Sequence, residues 1–227
     1  MEKTKHIVIL AAGDFPTHHV PLAAMNEADF VVCCDSAYSP FSTFNGSASV
    51  SPAFQSPIPY VVIGDGDSLS DETKQELGNR WIQVDEQDYN DLHKAMAWAT
   101  STFDIQHSTF TILAATGRRE DHTLGNISYL VTFANEYPGI DLEMVTDYGR
   151  FCTFSGSRTF PAFPRQQVSI FTLDPHIAVS SEGLRWELDC FRPQIWWQAT
   201  LNEVLGNTFS LVSDGPVILF RTHEKKP

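Results

Sequence analysis

The chain has 227 residues, is 42% hydrophobic and 12% aromatic, and carries 16 Phe and 5 Trp. That is enough apolar matter for a buried core, which excludes intrinsic disorder over most of its length. Fifteen Lys and Arg against 28 Asp and Glu leave a formal charge of −13, which excludes non-specific binding to nucleic acid or anionic membranes, since phosphate repels a chain of this sign.

Residues 7–12 form a short apolar run ended by Gly13 and read as a buried strand. The run is too short for a signal peptide, and Asp14 follows at once. Residues 20–28 can form a helical turn or two. Residues 30–34, 60–63 and 110–114 are further apolar runs, with helical patterns over 71–77, 91–103 and 124–137 between and after them. In the second helix Leu92, Ala95, Met96, Ala99 and Phe103 recur as one apolar stripe. Short apolar strands alternating with amphipathic helices predict an α/β domain with a mainly parallel sheet covered on both faces.

Residues 39–59 break the rhythm. They are rich in Ser, Phe, Pro and Gly without helical period and read as a long surface loop, with Phe41, Phe44 and Phe54 packing back on the core. Beyond Asp147 the texture changes to short β-favouring runs at 150–154, 167–173, 177–180, 184–188, 195–200, 208–212 and 217–221. Turn signals such as Ser155-Gly156, Asp174-Pro175, Glu182-Gly183 and Asp214-Gly215-Pro216 separate them. This predicts an all-β sandwich or barrel after the α/β domain. The boundary falls near residues 146–149, giving domains 1–146 and 147–227.

No stretch approaches the ~20 apolar residues needed to span a bilayer. Cys33, Cys34, Cys152 and Cys190 have no CxxC spacing, so neither a zinc cage nor a disulfide framework is expected. The cytoplasm is the expected location.

Three motifs carry chemistry, each directly after a strand. The first is Gly64-Asp65-Gly66-Asp67-Ser68. Ligands of open α/β sheets bind outside the carboxyl ends of the strands. Asp65 and Asp67, two residues apart on extended backbone, can face one ion. Carboxylate oxygens suit Mg²⁺, which would also screen a nucleotide triphosphate from this acidic chain. The competing account is a helix-capping turn through Ser68 or Ser70.

The second motif is Gln87-Asp88-Tyr89-Asn90-Asp91-Leu92-His93-Lys94, after a strand-like run at 82–84. Asp91 at a helix start is favourable on dipole grounds alone. It is also a candidate third carboxylate for the metal, with Lys94 one turn on for phosphate oxygens. The third is Thr116-Gly117-Arg118-Arg119-Glu120-Asp121-His122. There backbone N–H groups, a helix start and a guanidinium can converge on phosphate, while Asp121 can also simply cap the helix.

Taken together, these segments resemble the thiamine pyrophosphokinase (thiamin diphosphokinase) family, which reads G-D-x-D-S, then D-x-T-D-L, then T-G-G-R-x-D-H-x-x-x-N. The last corresponds here to Thr116 through Asn126. Asp35, after the second strand, matches a further family element. In the β half, Gly183-Leu184-Arg185-Trp186 and Asn202-Glu203 match G-[LF]-[KR]-[WY] and the end of S-N-E. The chain departs from the pattern at Ser36, Ala37, Gly66, Asn90, Arg118 and Leu201, and residues 39–59 look like an insertion.

The resemblance implies transfer of pyrophosphate from Mg-ATP to the hydroxyl of thiamin, giving thiamin diphosphate and AMP. It implies Asp65, Asp67 and Asp91 as Mg²⁺ ligands, and Arg119 with Asp121 at the reacting groups. Asp35, Gly64, Ser68, Gln87, Asn90, Lys94, Thr116, Gly117 and Asn202 would bind the substrates. Trp186, Trp196 and Trp197 are candidates for stacking on thiamin. It further implies a homodimer with the site at the subunit interface. Aspartyl-nucleophile phosphatases also use D-x-D, but after the first strand and between apolar residues, whereas here it follows Gly64. Nucleotide-sugar glycosyltransferases use it too, but predict neither T-G-x-R-x-D-H nor the β domain. A non-catalytic thiamin or nucleotide sensor, and a diphosphokinase for a related alcohol, remain as alternatives.

Overall fold

A computed structural model describes residues 4–48 and 57–225. The chain falls into two compact units. One comprises Met1–Tyr129 with Tyr137–Asp147, the other Leu130–Glu136 with Tyr148–Pro227.

The first unit is built on six parallel strands: β1 (Lys5–Leu10), β2 (Phe30–Cys34), β3 (Tyr60–Gly64), β4 (Trp81–Gln83), β5 (Ser108–Leu113) and β6 (Asp141–Val145). Pairings of β1 with β2 and β5, β2 with β3, β3 with β4, and β5 with β6 give the order 6-5-1-2-3-4. Ile7, Val8, Ile9 and Leu10 in β1 and Val31–Cys34 in β2 are buried, which is why these strands read as continuous apolar runs rather than alternating ones.

Helices α1 (His19–Asn26), α2 (Tyr38–Ala48), α3 (Asp71–Leu77), α4 (Asp91–Thr102) and α5 (Glu120–Glu136) connect them. The stripe expected on α4 is the buried one: Leu92, Ala95, Met96 and Ala99 face inward. Two caps set helix starts. The Ser70 hydroxyl accepts from the Thr73 N–H at α3, and the Asn90 side chain accepts from the His93 N–H at α4. Asp147 secures the start of α1 by accepting from the Thr17 and His18 N–H groups and the Thr17 hydroxyl.

Residues 39–59 are not wholly a loop, because α2 covers the first half. Its Phe41 is fully buried edge-on to Tyr60, ring centroids 5.2 Å apart. Phe44 packs on Phe15, and buried Asn45 bonds both the N–H and the C=O of Ile58. Tertiary contacts of these three side chains override the weak helix propensity of a Ser-, Thr- and Gly-containing segment. Phe54 lies outside the described residues. Helix α5 begins four residues earlier than its apolar pattern, and β6 went unanticipated.

The second unit is rich in antiparallel strands: β7 (Gly149–Pro161), β8 (Gln166–Thr172), β9 (Val179–Glu182), β10 (Asn202–Glu203) and β11 (Thr208–Lys225). β11 is one strand, not two. The Asp214-Gly215-Pro216 signal is absorbed as an irregularity between Ser213 and Val217 in its long pairing with β7. On one side of that irregularity β11 pairs with β9, on the other with β8, and β10 adds to β8. One core cluster includes Phe154, Phe160, Ile170, Val179, Phe209 and Leu219. Residues 184–188 contribute only an isolated bridge from Leu184 to Val204, and 195–200 hold a short 3₁₀ turn, Trp196–Ala199. Both runs have strand-like composition, but scattered backbone bonds and side chains such as Asn202, Glu187 and Gln198 hold them instead of a continuous ladder.

Candidate active site

The order 6-5-1-2-3-4 reverses direction at β1, so its neighbours β2 and β5 lead away on opposite sides. The crevice outside the carboxyl ends of such strands is where open α/β sheets bind ligands. The chain after β1 turns at Gly13, where a Cβ would lie 2.2 Å from the Thr116 carbonyl oxygen and 2.4 Å from that of Ala114. Only glycine lets these two loops meet. They are joined by Gly13 N–H to Ala114 O (2.6 Å) and Asp14 N–H to Thr116 O (2.9 Å). A cleft of about 270 Å³ opens there, lined by Ala12, Gly13, Ser36, Gly117, Arg118 and Arg119 among others.

Beside it stand the acidic groups. Carboxylate oxygens of Asp35, Asp65 and Asp67 lie within 4.8 Å of one another. Asp35 follows β2, and its side chain is buried against the turn after β3. Its Oδ2 accepts from the Gly66 N–H (3.1 Å) and the Ser68 N–H (3.4 Å), whereas its Oδ1 is buried with no hydrogen-bond partner. Burial raises the Asp35 carboxyl above the ordinary range, with the two N–H groups opposing and the neighbouring Asp91 and Asp67 charges adding to the rise. A buried carboxylate oxygen with an unused lone pair, facing two further carboxylates, is the donor set a hard divalent cation uses.

Asp65 is held below the ordinary range, first by the Gln87 side-chain amide on its Oδ2 (3.1 Å) and then by the Asp67 N–H. The Ser68 hydroxyl donates to Asp67 (2.9 Å). Asp91 stands outside the group of three. Burial raises its carboxyl, Lys94 pulls it back, and Asp65 and Asp67 repel it. Lys94 is itself buried, its Nζ 3.4 Å from Asp91 Oδ1. Gln87, Asp91 and Lys94 thus border the carboxylate group from the α4 side.

Asn90 acts first as the α4 cap. Its amide also donates to Asn126 Oδ1 (3.1 Å), and Asn126 in turn donates to the Ala115 carbonyl (2.9 Å). This Asn pair, half-buried Asn90 on buried Asn126, ties the second motif to the third. In the third motif Thr116 and Gly117 form the turn, and Arg118 adopts φ +54°, a left-handed conformation. That is the position where the resembling segment T-G-G-R carries glycine. Arg119 makes a two-pronged ion pair with Asp121, at 3.1 and 2.5 Å. The Arg119 guanidinium holds Asp121 down to about 2. Both are exposed, Arg119 just before α5 and Asp121 in its first turn, so the pair is available to ligands.

In the second unit Asn202 is buried and its amide clips the backbone of Trp186, accepting from the Trp186 N–H (3.1 Å) and donating to its C=O (2.6 Å). Glu187 accepts from the Gly183 and Leu184 N–H groups. The indole of Trp186 is left exposed, as are Trp196 and Trp197. Leu201 sits at φ +58°, exposed, its N–H bonded to the Ser169 hydroxyl.

Two features escaped sequence reasoning. Asp35 was expected among the substrate-binding groups, whereas the geometry places it with Asp65 and Asp67. The loop Ala12-Gly13-Asp14 was passed over, although a glycine closing an apolar strand was its visible signal.

A family model described as the catalytic domain of thiamin pyrophosphokinase matches residues 22–142, and one described as its substrate-binding domain matches 149–220. Thiamine pyrophosphokinase 1 of rice (Oryza sativa subsp. japonica) is 28% identical over 144 residues, 58% of this chain and 53% of the relative. Thiamine pyrophosphokinase 3 of the same plant is 40% identical over 84 residues, 34% of this chain and 32% of the relative. The aligned stretches thus span about half and a third of those relatives' length. Among solved structures, thiamin pyrophosphokinase from Candida albicans superposes with a TM-score of 0.78 at 17% identity, covering 97% of this chain and 93% of that one. The yeast thiamin pyrophosphokinase gives 0.74 at 14%, covering 98% and 87%. At such identities these two establish the fold.

Proposed function

Because the chain belongs to the thiamin pyrophosphokinase family, we propose that it transfers the terminal pyrophosphoryl group of ATP to the hydroxyl of thiamin, giving thiamin diphosphate and AMP. The observation that carries the reading is the meeting of Asp35, Asp65 and Asp67 beside the cleft at the β1/β5 switch. A diphosphoryl transfer needs a cation site adjoining a nucleotide site, and a carboxylate group and a cleft at one sheet edge support that reading.

In this reading Asp35, Asp65 and Asp67 hold Mg²⁺, with Asp91 completing the acidic surround. The ion, when bound, offsets the triphosphate charge and the charge that builds on the departing AMP. Arg119 exchanges part of its pairing with Asp121 for phosphate oxygens, where a planar fork matches oxygen pairs. Asp121 orients the acceptor. Gln87 keeps Asp65 ionised and aimed, and Lys94 sets Asp91. The acceptor alcohol has a high pKa, so positioning outweighs a strong base. Thiamin is a cation, and an exposed indole suits it. Trp186, fixed through its backbone by Asn202, is the best held of the three exposed tryptophans.

The same proposal assigns nucleotide and metal binding to residues 1–146 and thiamin binding to 147–227. It includes a homodimer with the site shared between protomers, and a cytoplasmic location. Exposed Trp186, Ile195, Trp197, Leu201 and Leu205 support an association surface, and four cysteines without a disulfide support a reducing compartment. Among the described residues no helix is long and apolar enough to cross a membrane.

The test is product analysis of the purified protein with Mg-ATP and thiamin, resolving AMP from ADP. Thiamin-dependent AMP with stoichiometric thiamin diphosphate is expected. ADP would mean γ-phosphoryl transfer on this scaffold. Thiamin binding by tryptophan quenching without turnover would favour a sensor.

A further inference from the structure

Arg118 holds a conformation that costs an L-residue energy. Its φ of +54° lies in the left-handed region, where a Cβ crowds the following carbonyl and glycine is at ease. Strain of this kind persists where the surroundings enforce it and gathers at functional sites. The side chain shows what the conformation achieves. It reaches back across the cleft rim, donating from Nη1 to the Ala12 carbonyl at 2.9 Å and bringing Nε to 3.8 Å from Asp14 Oδ1. It thereby spans the loop after β1 and the turn after β5, the two walls of the 270 Å³ cleft.

The contacts use only part of the guanidinium. Of its five N–H donors, one is committed to Ala12 and one faces Asp14, and the side chain keeps 56% of its exposure. Arg119 lines the same cleft from the next position. Two adjacent guanidiniums on one wall, in a chain of net charge −13, are a local reversal of the molecule's field. They would serve a ligand with several negative charges.

We infer that Arg118 is a nucleotide-binding residue: it braces the cleft wall through Ala12 and presents its remaining donors to the phosphate chain, giving this protein a second guanidinium contact beside Arg119. The inference rests on the nucleotide site proposed above. Left-handed strain is tolerated here for that contact, so removing the side chain separates binding from stability.

The experiment compares wild type with Arg118→Gly and Arg118→Lys. Three quantities are measured: affinity for the Mg²⁺ complex of α,β-methylene-ATP by calorimetry, affinity for thiamin by tryptophan quenching, and melting temperature. Arg118→Gly should bind the nucleotide about ten-fold more weakly, keep thiamin affinity, and melt no lower than wild type, because glycine relieves the strain. Arg118→Lys, which keeps the charge but not the fork, should recover part of the affinity. Unchanged nucleotide affinity in Arg118→Gly overturns the inference. So does a parallel fall in thiamin affinity and melting temperature, which would make Arg118 a structural strap alone. If wild type itself fails to bind the nucleotide, the proposed site falls and this inference with it. That result is distinct from a wild type that binds and a glycine variant that matches it.

Discussion

Gly64 and Asp35 are packed so closely that a Cβ built on Gly64 would lie 2.6 Å from the Asp35 Cβ and 3.1 Å from its Oδ2. The two residues sit at the ends of paired strands, β3 and β2. The glycine is the space into which the buried carboxylate fits. That close fit gives Gly64 a steric role.

Gly64→Ala should then displace Asp35 from Asp65 and Asp67. Overpacking of this kind costs about 1–3 kcal/mol of stability. Because misplacing one ligand weakens a site with strict geometry, the Mg²⁺ concentration for half-maximal turnover should rise about ten-fold or more. A Mg²⁺ titration of the rate, run alongside thermal melting, checks both. Full turnover at the wild-type Mg²⁺ requirement would detach Asp35 from the ion site.

Asp35→Asn should separate stability from ion binding. The carboxyl is raised above its ordinary range, chiefly by burial, so folding without metal disfavours its charged form. The stability this group contributes is present in acid, below the ordinary carboxylate range, and is lost as pH rises through the elevated folded value. The neutral amide escapes that loss. At about pH 7 metal-free Asp35→Asn should be more stable than wild type, the advantage shrinking toward pH ~4. The rise in melting temperature that Mg²⁺ gives wild type should vanish. Melting curves with and without Mg²⁺ at both pH values decide the matter.

Asp121→Ala is expected to act on turnover and barely on folding. Its ion pair with Arg119 is exposed, and exposed pairs contribute little to stability. With its carboxyl held near 2, Asp121 is ionised throughout the working pH range and should add no acid limb to the rate profile. The variant should lose thiamin affinity or rate at an unchanged melting temperature. If both kinetic quantities stay at wild-type values, its place in the first turn of α5 is the whole of its role.

Asn126→Ala removes the amide that joins Asn90 to the Ala115 carbonyl. Buried partners left unsatisfied cost about 1–3 kcal/mol, and for a domain of this size each kcal/mol lowers the melting temperature by about 2–4 °C. Turnover should fall as well, since the second and third motifs lose their shared tie. A variant that melts as wild type does would show that water replaces the amide.

Much of the first unit was legible in the sequence. The stripe Leu92, Ala95, Met96, Ala99 located α4, and β2 and α3 begin and end where their patterns do. Periodicity works there because each element buries one face or both. It failed where long-range partners decide. Helix α2 depends on Asn45 reaching Ile58 and on Phe41 meeting Tyr60, contacts that no local pattern displays. β11 was divided because a Gly-Pro pair looks the same in a turn and in a strand irregularity. At the site, motif spacing located Asp65, Asp67, Arg119 and Asp121. The full burial of Asp35, which sets its chemistry, comes from the turn after β3 folding over it, a fact of packing invisible one residue at a time.

Gly13 closes β1 with no room for a Cβ between the Ala114 and Thr116 carbonyls, and Gly64 obeys the same restriction beside Asp35. Every replacement of glycine brings a Cβ, so any missense change at these two codons strikes the backbone of the site. Lineages descending from this chain can alter the exposed indoles of the second unit, or Arg118, by graded side-chain changes that leave the backbone path in place. At Gly13 and Gly64 no such intermediate steps exist, and drift must pass these positions by.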